Sequence, residues 1–337
     1  MLKTPSIQEL SGIVESGLKE VFGSRKVELY QMMAYHLGWQ DEHGNDLETN
    51  VAKRHHGIAC LATCYATGSD PSIANLAAAS IELVNSFCQI HDDVEGGNPK
   101  RNNRDAVWWI WGPAQAINAG DGMHALARLS LLQQVEQNLP TEKSFKAIKL
   151  LDKTSLELCE GRFHDLQAQE KIDLNVEDYL NMASSRTGSL YSCAMELGAL
   201  ISSSDESVAQ SMGLCGNNIG LAIQIRNDIE EIWSSSENSE NSNIEFMNKK
   251  KILPVVYAIS KGTISEKRRL GEIYFKRVLV PTDIPTVRQI LEDMGAKEYC
   301  QNLVEKYHLD AKLNLNDSEI STEGREKILE FINLLLL

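Results

Sequence analysis

The chain has 337 residues, 42% of them apolar, which is ample for a large buried core, and 33 Lys and Arg against 47 Asp and Glu give a net charge of -14. That sign excludes a nonspecific binder of nucleic acid backbones, and it requires that an anionic substrate be met by local cations or by metal ions. The seven cysteines (Cys60, Cys64, Cys88, Cys159, Cys193, Cys215, Cys300) form no CxxC pair and read as reduced core thiols, not as a disulfide framework or a zinc site.

Eight prolines and almost no alternating strand pattern make the expected fold all-α, and two acidic clusters that each end a long helix suggest a bundle with a site between facing helices. In chain order the helices are expected at 5–22 and 25–37, then, after a polar loop from Gly38 to Asn50, at 52–67 and 73–94. Asp70, Pro71 and Ser72 supply the cap of the last of these. Helices at 105–137 and 141–170 follow, the second opened by Pro140, Thr141 and Glu142 and carrying the stripe Phe145, Ile148, Leu151, Leu158. Next come 176–202 and 206–234, a low-complexity polar tract from Ser234 to Asn243, and helices at 249–261, 264–279, 284–295, 296–312 and 320–336. Ile328, Phe331, Ile332 and Leu335 stripe the last one. Helical periodicity resumes on both sides of each polar segment, so residues 1–337 are expected to form a single domain, with 1–50 as variable N-terminal helices and loop. MLKTPSIQEL lacks the layout of a secretory signal, and no apolar run approaches the ~18 residues of a membrane span, so a cytoplasmic protein without a span is expected.

Two acidic clusters end long apolar helices. In Gln89-Ile90-His91-Asp92-Asp93-Val94-Glu95, Asp92 and Glu95 share a helical face and Asp93 meets the same cation from the side. In Gln224-Ile225-Arg226-Asn227-Asp228-Ile229-Glu230-Glu231, Asn227 and Glu231 stand four apart. Oxygen-only ligation suits magnesium, commonly held by one or two carboxylates plus phosphate oxygens. Either cluster alone is more often a solvated helix face; together, in apolar helices, they would leave carboxylates expensively unpaired unless a site uses them.

The runs LAAASIELVNSFCQIHDDV, Arg101 and WIWGPAQAINAGDGM resemble the first aspartate-rich region of the trans-isoprenyl diphosphate synthases and of the terpene synthases built on that fold, and GLAIQIRNDIEEI with KKKILPVVYAI resembles their second. Between them EGRFHDL and YLNMASSRTGSLYSCAMELGA resemble the segment that carries the family's Lys-Thr-Gly, and MGAKEYCQNLVEKY resembles its C-terminal helices, so the likeness spans roughly 50 to 336. The resemblance implies that Asp92, Asp93 and Glu95 hold two magnesium ions and that Asn227, Asp228 and Glu231 hold a third. It further implies that Arg101, Arg186 (Lys in the family) and Lys250 grip the allylic diphosphate and that the chain pairs as a homodimer; Arg162 stands where the family has Gln beside the prenyl chain, and in a cyclase it is expected to contact the diphosphate. Phe87, one turn before Asp92, resembles the floor of short-chain members, and Trp108, Phe163 and Tyr191, with Trp109, Trp111 and Trp233, are candidate cavity walls. His91 and His164 read as hydrogen-bonded helix residues.

Chain-elongating members hold isopentenyl diphosphate with residues whose counterparts here are changed: an Arg is His56, a His is Asn85 and the second of two paired Args is Asn102. Each lost charge-assisted contact costs about 1.5–3 kcal/mol, so a second diphosphate is expected to bind poorly. The leading expectation is therefore a magnesium-dependent terpene synthase acting on farnesyl or geranylgeranyl diphosphate. The alternatives are a trans-prenyltransferase using isopentenyl diphosphate or an unusual acceptor, and a non-catalytic subunit of a heteromeric synthase. The metal motifs depart as well, with Gly96 where the family's final Asp stands and no Ser/Glu completion of the cyclase pattern after Asn227.

Overall fold

Capping and apolar spacing set the helices. Ser6 opens α1 (Ile7–Phe22) with a reciprocal box, its hydroxyl accepting from the Glu9 N–H (3.1 Å) while the Glu9 carboxylate accepts from the Ser6 N–H (2.7 Å). The structure, a computed structural model, describes residues 3–47, 53–136, 140–171, 174–202, 205–233, 244–248, 250–274, 276, 278–316, 318 and 320–336. The polar tract from Ser234 to Asn243 and the last three residues of the loop from Gly38 to Asn50 lie outside them. The fold is all-α, and it divides into two compact units.

The first unit comprises 1–155, 190–216 and 314–334. After α1 it contains α2 (Glu28–His36), α3 (His55–Ala66) and α4 (Asn75–Gly96), then a two-residue hairpin of β1 (Lys100–Arg101) and β2 (Arg104–Asp105). It continues with α5 (Val107–Trp111), α6 (Pro113–Glu136) and the first half of α7 (Thr141–Glu170). α4 is the axis, packed on α6, α1 and α3, and from Leu76 to Val84 every residue is buried. A helix apolar on all faces belongs inside a core. Pro71–Gly96 does reach span length and apolarity, which corrects the sequence expectation, but 67% of its most apolar window is buried within the protein.

The expected single helix at 105–137 breaks between α5 and α6, because Gly112 takes φ 82° and Pro113 follows. The hairpin before it was not foreseen. Its two-residue loop puts Asn102 and Asn103 at φ 51° and 60°, the left-handed region that Asn tolerates better than most residues.

The second unit comprises 156–189, 217–313 and 335–337. It holds the rest of α7, α8 (Val176–Ala183), most of α10 (Glu206–Trp233), α11 (Ile244–Met247), α12 (Leu253–Lys261), α13 (Ile264–Tyr274), α14 (Ile284–Asp293) and most of α15 (Ala296–Asn316). α9 (Ser189–Ser202) and α16 (Thr322–Leu336) lie almost wholly in the first unit. Between α8 and α9 the expected helix 176–202 loosens into one π-helical turn, Ser184–Gly188. Two glycines seat this turn: a Cβ on Gly161 of α7 would stand 2.9 Å from the Ser185 Cβ, and one on Gly220 of α10 would stand 2.7 Å from the Gly188 Cα. Apolar cores of Tyr179, Met182, Leu221, Ile225 and Leu253, and of Phe246, Tyr274, Val287 and Leu291, fill the unit.

Gly220→Ala is expected to destabilise by about 1–3 kcal/mol, because backbone cannot yield to the added methyl. Gly12→Ala, in α1 with nothing within 4 Å of the new Cβ, is expected to be neutral or to stabilise by up to ~1 kcal/mol. Thermal unfolding of both variants checks the pair, and a Gly220→Ala melting point equal to that of the parent contradicts the close approach.

Candidate functional site

In the first unit the acidic end of α4 is organised by Asp93. Its carboxylate is 2% exposed and accepts two parallel bonds from Arg101, Nε to Oδ2 and the terminal nitrogen to Oδ1, both 2.7 Å. This fork geometry is the strongest pairing available to a carboxylate. Gly97, in the left-handed conformation, ends α4, and the Asn98 N–H returns to the Asp93 carbonyl at 2.9 Å. The hairpin then carries Arg101 back over Asp93. Arg104 fixes the hairpin's far side, donating to the carbonyls of Tyr35 (2.9 Å) and Gln40 (2.7 Å) with its guanidinium 3.9 Å from the Tyr35 ring centre.

Asp93, Arg101, Arg104, His36 and Tyr35 share one small cleft. Burial, reinforced by the charges of Arg101 and Arg54, pushes the His36 imidazole down to about 3, so it is neutral there. Asp92 is half-buried and Glu95 exposed, one turn apart on the same face. His91 approaches the Ile117 carbonyl (3.1 Å) and stacks edge-on with Phe87 (4.8 Å), in keeping with a hydrogen-bonded helix residue. Trp108 spends its N–H on the Asn98 carbonyl at 2.6 Å.

The positions that differ from the chain-elongating pattern are also in this unit. His56 lies against the buried Tyr191 ring (centroids 4.2 Å apart), and burial pushes its imidazole down to about 3. It is uncharged at neutral pH, as expected. Arg54 is no anion contact, since it is buried and donates to the Glu15 carboxylate (2.6 Å) and the Leu37 carbonyl (2.7 Å). Asn102 is exposed at the hairpin tip.

In the second unit the corresponding centre is Asp228 on α10. It is 1% exposed, and Oδ2 accepts from the Tyr179 hydroxyl (2.5 Å) and the Leu253 N–H (2.6 Å), while Oδ1 accepts from the Gln224 amide (2.9 Å). Leu253 opens α12, whose own N-cap, Ile252, offers no side chain, so Asp228 caps that helix from outside. Glu231 accepts the Phe246 N–H at 3.1 Å, and Asn227 is exposed. On α7 the fully buried Asp165 accepts from Arg162 (2.9 Å) and from Arg186 on the π-helical turn (2.7 Å) through the same oxygen. Asp165, Arg186, Asp228, Lys250 and Lys251 line one cleft. Arg186 and Lys250 were expected at a diphosphate; Asp165 and Tyr179 were missed. The Arg162/Asp165 pair, three apart on a helix, was the available signal for Asp165. Phe163 stands 57% exposed, on the surface, with its ring beside His164.

Among the described residues no group of three or more His, Cys, Asp or Glu is arranged to hold a metal ion. The reason is physical: Asp93 is turned into Arg101, and at least three of the roughly four acceptor directions on Asp228 are taken. The donors are nonetheless all hard oxygens, and magnesium typically takes only one or two carboxylates before phosphate and water complete its shell. The residues fit magnesium that arrives with an anion, not a closed protein cage.

The family pattern described as Polyprenyl synthetase matches residues 40–294. A geranylgeranyl diphosphate synthase of Mycobacterium tuberculosis is 31% identical over 290 residues, 86% of this chain and 82% of that protein. A (2E,6E)-farnesyl diphosphate synthase of Mycobacterium bovis is 29% identical over 268 residues, 79% of this chain and 70% of that protein. The crystal structure of a polyprenyl synthetase from Streptomyces coelicolor superposes with a TM-score of 0.90 at 27% identity, covering 98% of both chains. These relatives carry the names of diphosphate synthases, which are transferases, and that overturns the expectation of a terpene-synthase lyase.

Burial pushes the Asp93 carboxyl above its usual range, with Arg101 pulling it back. A folded value above the unfolded one means that the native state binds the proton more readily, so this group's contribution falls as pH rises above ~4. Removing the guanidinium sharpens this. Arg101→Ala is expected to lose roughly 3 kcal/mol at pH 8 and clearly less at pH 5, where Asp93 can protonate. Urea unfolding at the two pH values reads the difference, and equal losses at both would contradict an ionised, buried Asp93.

Proposed function

Because the chain belongs to the polyprenyl synthetase family, we propose that it is a prenyltransferase, a short-chain prenyl diphosphate synthase joining an allylic prenyl diphosphate to isopentenyl diphosphate. The observation that carries the reading is the cleft of the second unit, where Arg186 and Lys250 stand with Asp228 in a chain whose relatives make farnesyl and geranylgeranyl diphosphate. In this reaction the C–O bond to the allylic diphosphate breaks, the acceptor's double bond supplies the electron pair of a new C–C bond, and proton loss restores an alkene.

Arg186, Lys250 and Arg162 of the second unit would offset the charge that gathers on the leaving diphosphate, and in the first unit Arg101 would meet phosphate oxygens. Asp92 with Glu95, Asp93, and Asn227 with Asp228 and Glu231 would hold magnesium, three ions by the family resemblance; when bound, it supplies positive charge for the departing group. Phe87, Trp108 and Tyr191 would keep water from the allylic cation, and the exposed Phe163 contributes least. We also propose a homodimer, supported by Ile117, Leu129 and Leu132 of α6, which are 40–51% exposed.

The neutral positions His56, Asn85 and Asn102 bear on acceptor affinity, not on reaction class. They raise the KM for isopentenyl diphosphate and leave the transfer step intact.

Purified protein incubated with magnesium, farnesyl diphosphate and isopentenyl diphosphate is expected to give a C20 diphosphate, seen by gas chromatography after phosphatase treatment. Asp92→Asn is expected to lower the rate by about 10²-fold or more, and a chelator to abolish it. A cyclic hydrocarbon from the allylic substrate alone, with no elongated product, would refute the transferase reading.

A further inference from the structure

A cleft in the first unit shares no residue with those at Asp93 and Asp228, yet it holds about 560 Å³ against about 20 and 10 Å³ for them. Room on that scale takes a small organic molecule. The end of α1, the start of α2 and the polar loop after Gly38 wall it. Asp41 fixes the loop, its carboxylate accepting the N–H groups of His43 (2.9 Å) and Asn45 (2.8 Å). Phe22, 7% exposed, stands edge-on to Tyr30 (centroids 6.2 Å apart) and to Trp39 (4.9 Å), so two half-buried rings are held as aromatic walls.

The polar groups of the cleft fall into two sets. Lys19 and Lys26 make no hydrogen bond or ion pair among the described residues, and Arg25 spends one guanidinium nitrogen on the carbonyls of Val21 (2.5 Å) and Phe22 (3.0 Å). Three cations against one lining acid, Glu28, make the cleft positive in a chain of net charge -14. Gln31 and Gln40 give their amide N–H groups to the Glu42 carbonyl (3.2 Å) and the Asp46 carboxylate (3.0 Å), which leaves both amide oxygens without a donor among the described residues. A hydrocarbon chain gains nothing from amide oxygens, and a bare phosphate ion gains nothing from rings. A nucleobase with an amino group meets the rings with its faces and the amide oxygens with its N–H bonds, while its phosphates meet the cations.

The walls of the cleft also reach other parts of the unit. The Trp39 indole N–H donates to Glu15 (2.8 Å), whose other oxygen accepts from Arg54 (2.6 Å), two residues before His56. The Gln40 carbonyl accepts from Arg104 (2.7 Å) in the hairpin that carries Arg101. We propose that this cleft is an effector site for a nucleoside di- or triphosphate whose base carries an amino group: Tyr30 and Trp39 flank the base, Gln31 and Gln40 accept from its amino edge, and Lys19, Arg25 and Lys26 take the phosphates. Through Trp39 and Gln40 its occupant alters the affinity for isopentenyl diphosphate. The effect on transfer rests on the reading of the chain as a prenyltransferase; binding does not.

Calorimetric titration of the full-length protein with ATP, inosine triphosphate and inorganic triphosphate tests it. ATP is expected to bind more tightly than inosine triphosphate, which lacks the amino group, and about tenfold more tightly than inorganic triphosphate, which lacks the base. Tyr30→Ala is expected to weaken ATP about tenfold and to leave inorganic triphosphate unchanged, and Lys26→Glu to weaken both about fivefold with less dependence on salt. Lys250→Ala, in the other unit, is expected to leave ATP affinity at the parental value. Absence of ATP binding at millimolar concentration, equal affinity for either of the other two ligands, or a larger loss in Lys250→Ala than in Lys26→Glu overturns the proposal. If Tyr30→Ala does not fold, parental ATP affinity in Lys26→Glu overturns it. In elongation assays at constant free magnesium, saturating ATP is expected to shift the KM for isopentenyl diphosphate several-fold with kcat little changed, and an unmoved KM overturns the effector role. An unaltered chain that binds ATP but elongates nothing overturns the transferase reading and leaves the binding site standing.

Discussion

A carboxylate withdrawn from water survives in its charged form only where fixed donors replace the water, and this chain meets that condition repeatedly. Asp93 is met by Arg101, Asp165 by Arg162 and Arg186, Asp228 by Tyr179, Gln224 and the first N–H of α12, and Glu82 by the Gly57 N–H. Each match organises more than itself. The Asp93 pair carries the hairpin back over the end of α4, and the Asp228 contacts start α12 on a cap that its own N-terminus lacks. Local order in both units therefore follows from where acids had to be paired.

The same constraint explains why the functional expectation went astray. His56, Asn85 and Asn102 do lack the charge of the residues they replace, and the structure makes the His56 imidazole neutral. The inference from a weaker contact to a different reaction was the faulty step. Affinity for one anion varies by orders of magnitude with a few kcal/mol, whereas the class of reaction depends on which bonds the site can break and form. Relatives named for diphosphate synthesis align over most of this chain, and a solved polyprenyl synthetase has the same fold.

Most helices were legible because apolar residues repeat at helical spacing and caps such as Ser6 and Asp70 mark their starts. α7 runs from Thr141 to Glu170, as the spacing predicts. What escaped were features set by a few residues against the prevailing pattern: the Asn102-Asn103 hairpin, the break at Gly112-Pro113 and the π-helical turn. At the site, acid and base types were readable, and Arg186, Asp228 and Lys250 do share a cleft. The partner of each acid was not readable. Arg101 lies eight residues from Asp93, and Tyr179 lies 49 from Asp228, so pairing depended on tertiary approach that no spacing encodes.

The five-residue turn at Ser184–Gly188 amounts to one residue more than a regular helix would need there. Excising a single position would let the coil close up, and every later side chain of α9 would swing by roughly 100° about the axis. Leu190, Tyr191, Cys193, Ala194 and Leu197 would then trade an interior address for another, all at once. The segment is thus written in a frame, and substitutions along it are tolerable where changes of length are not.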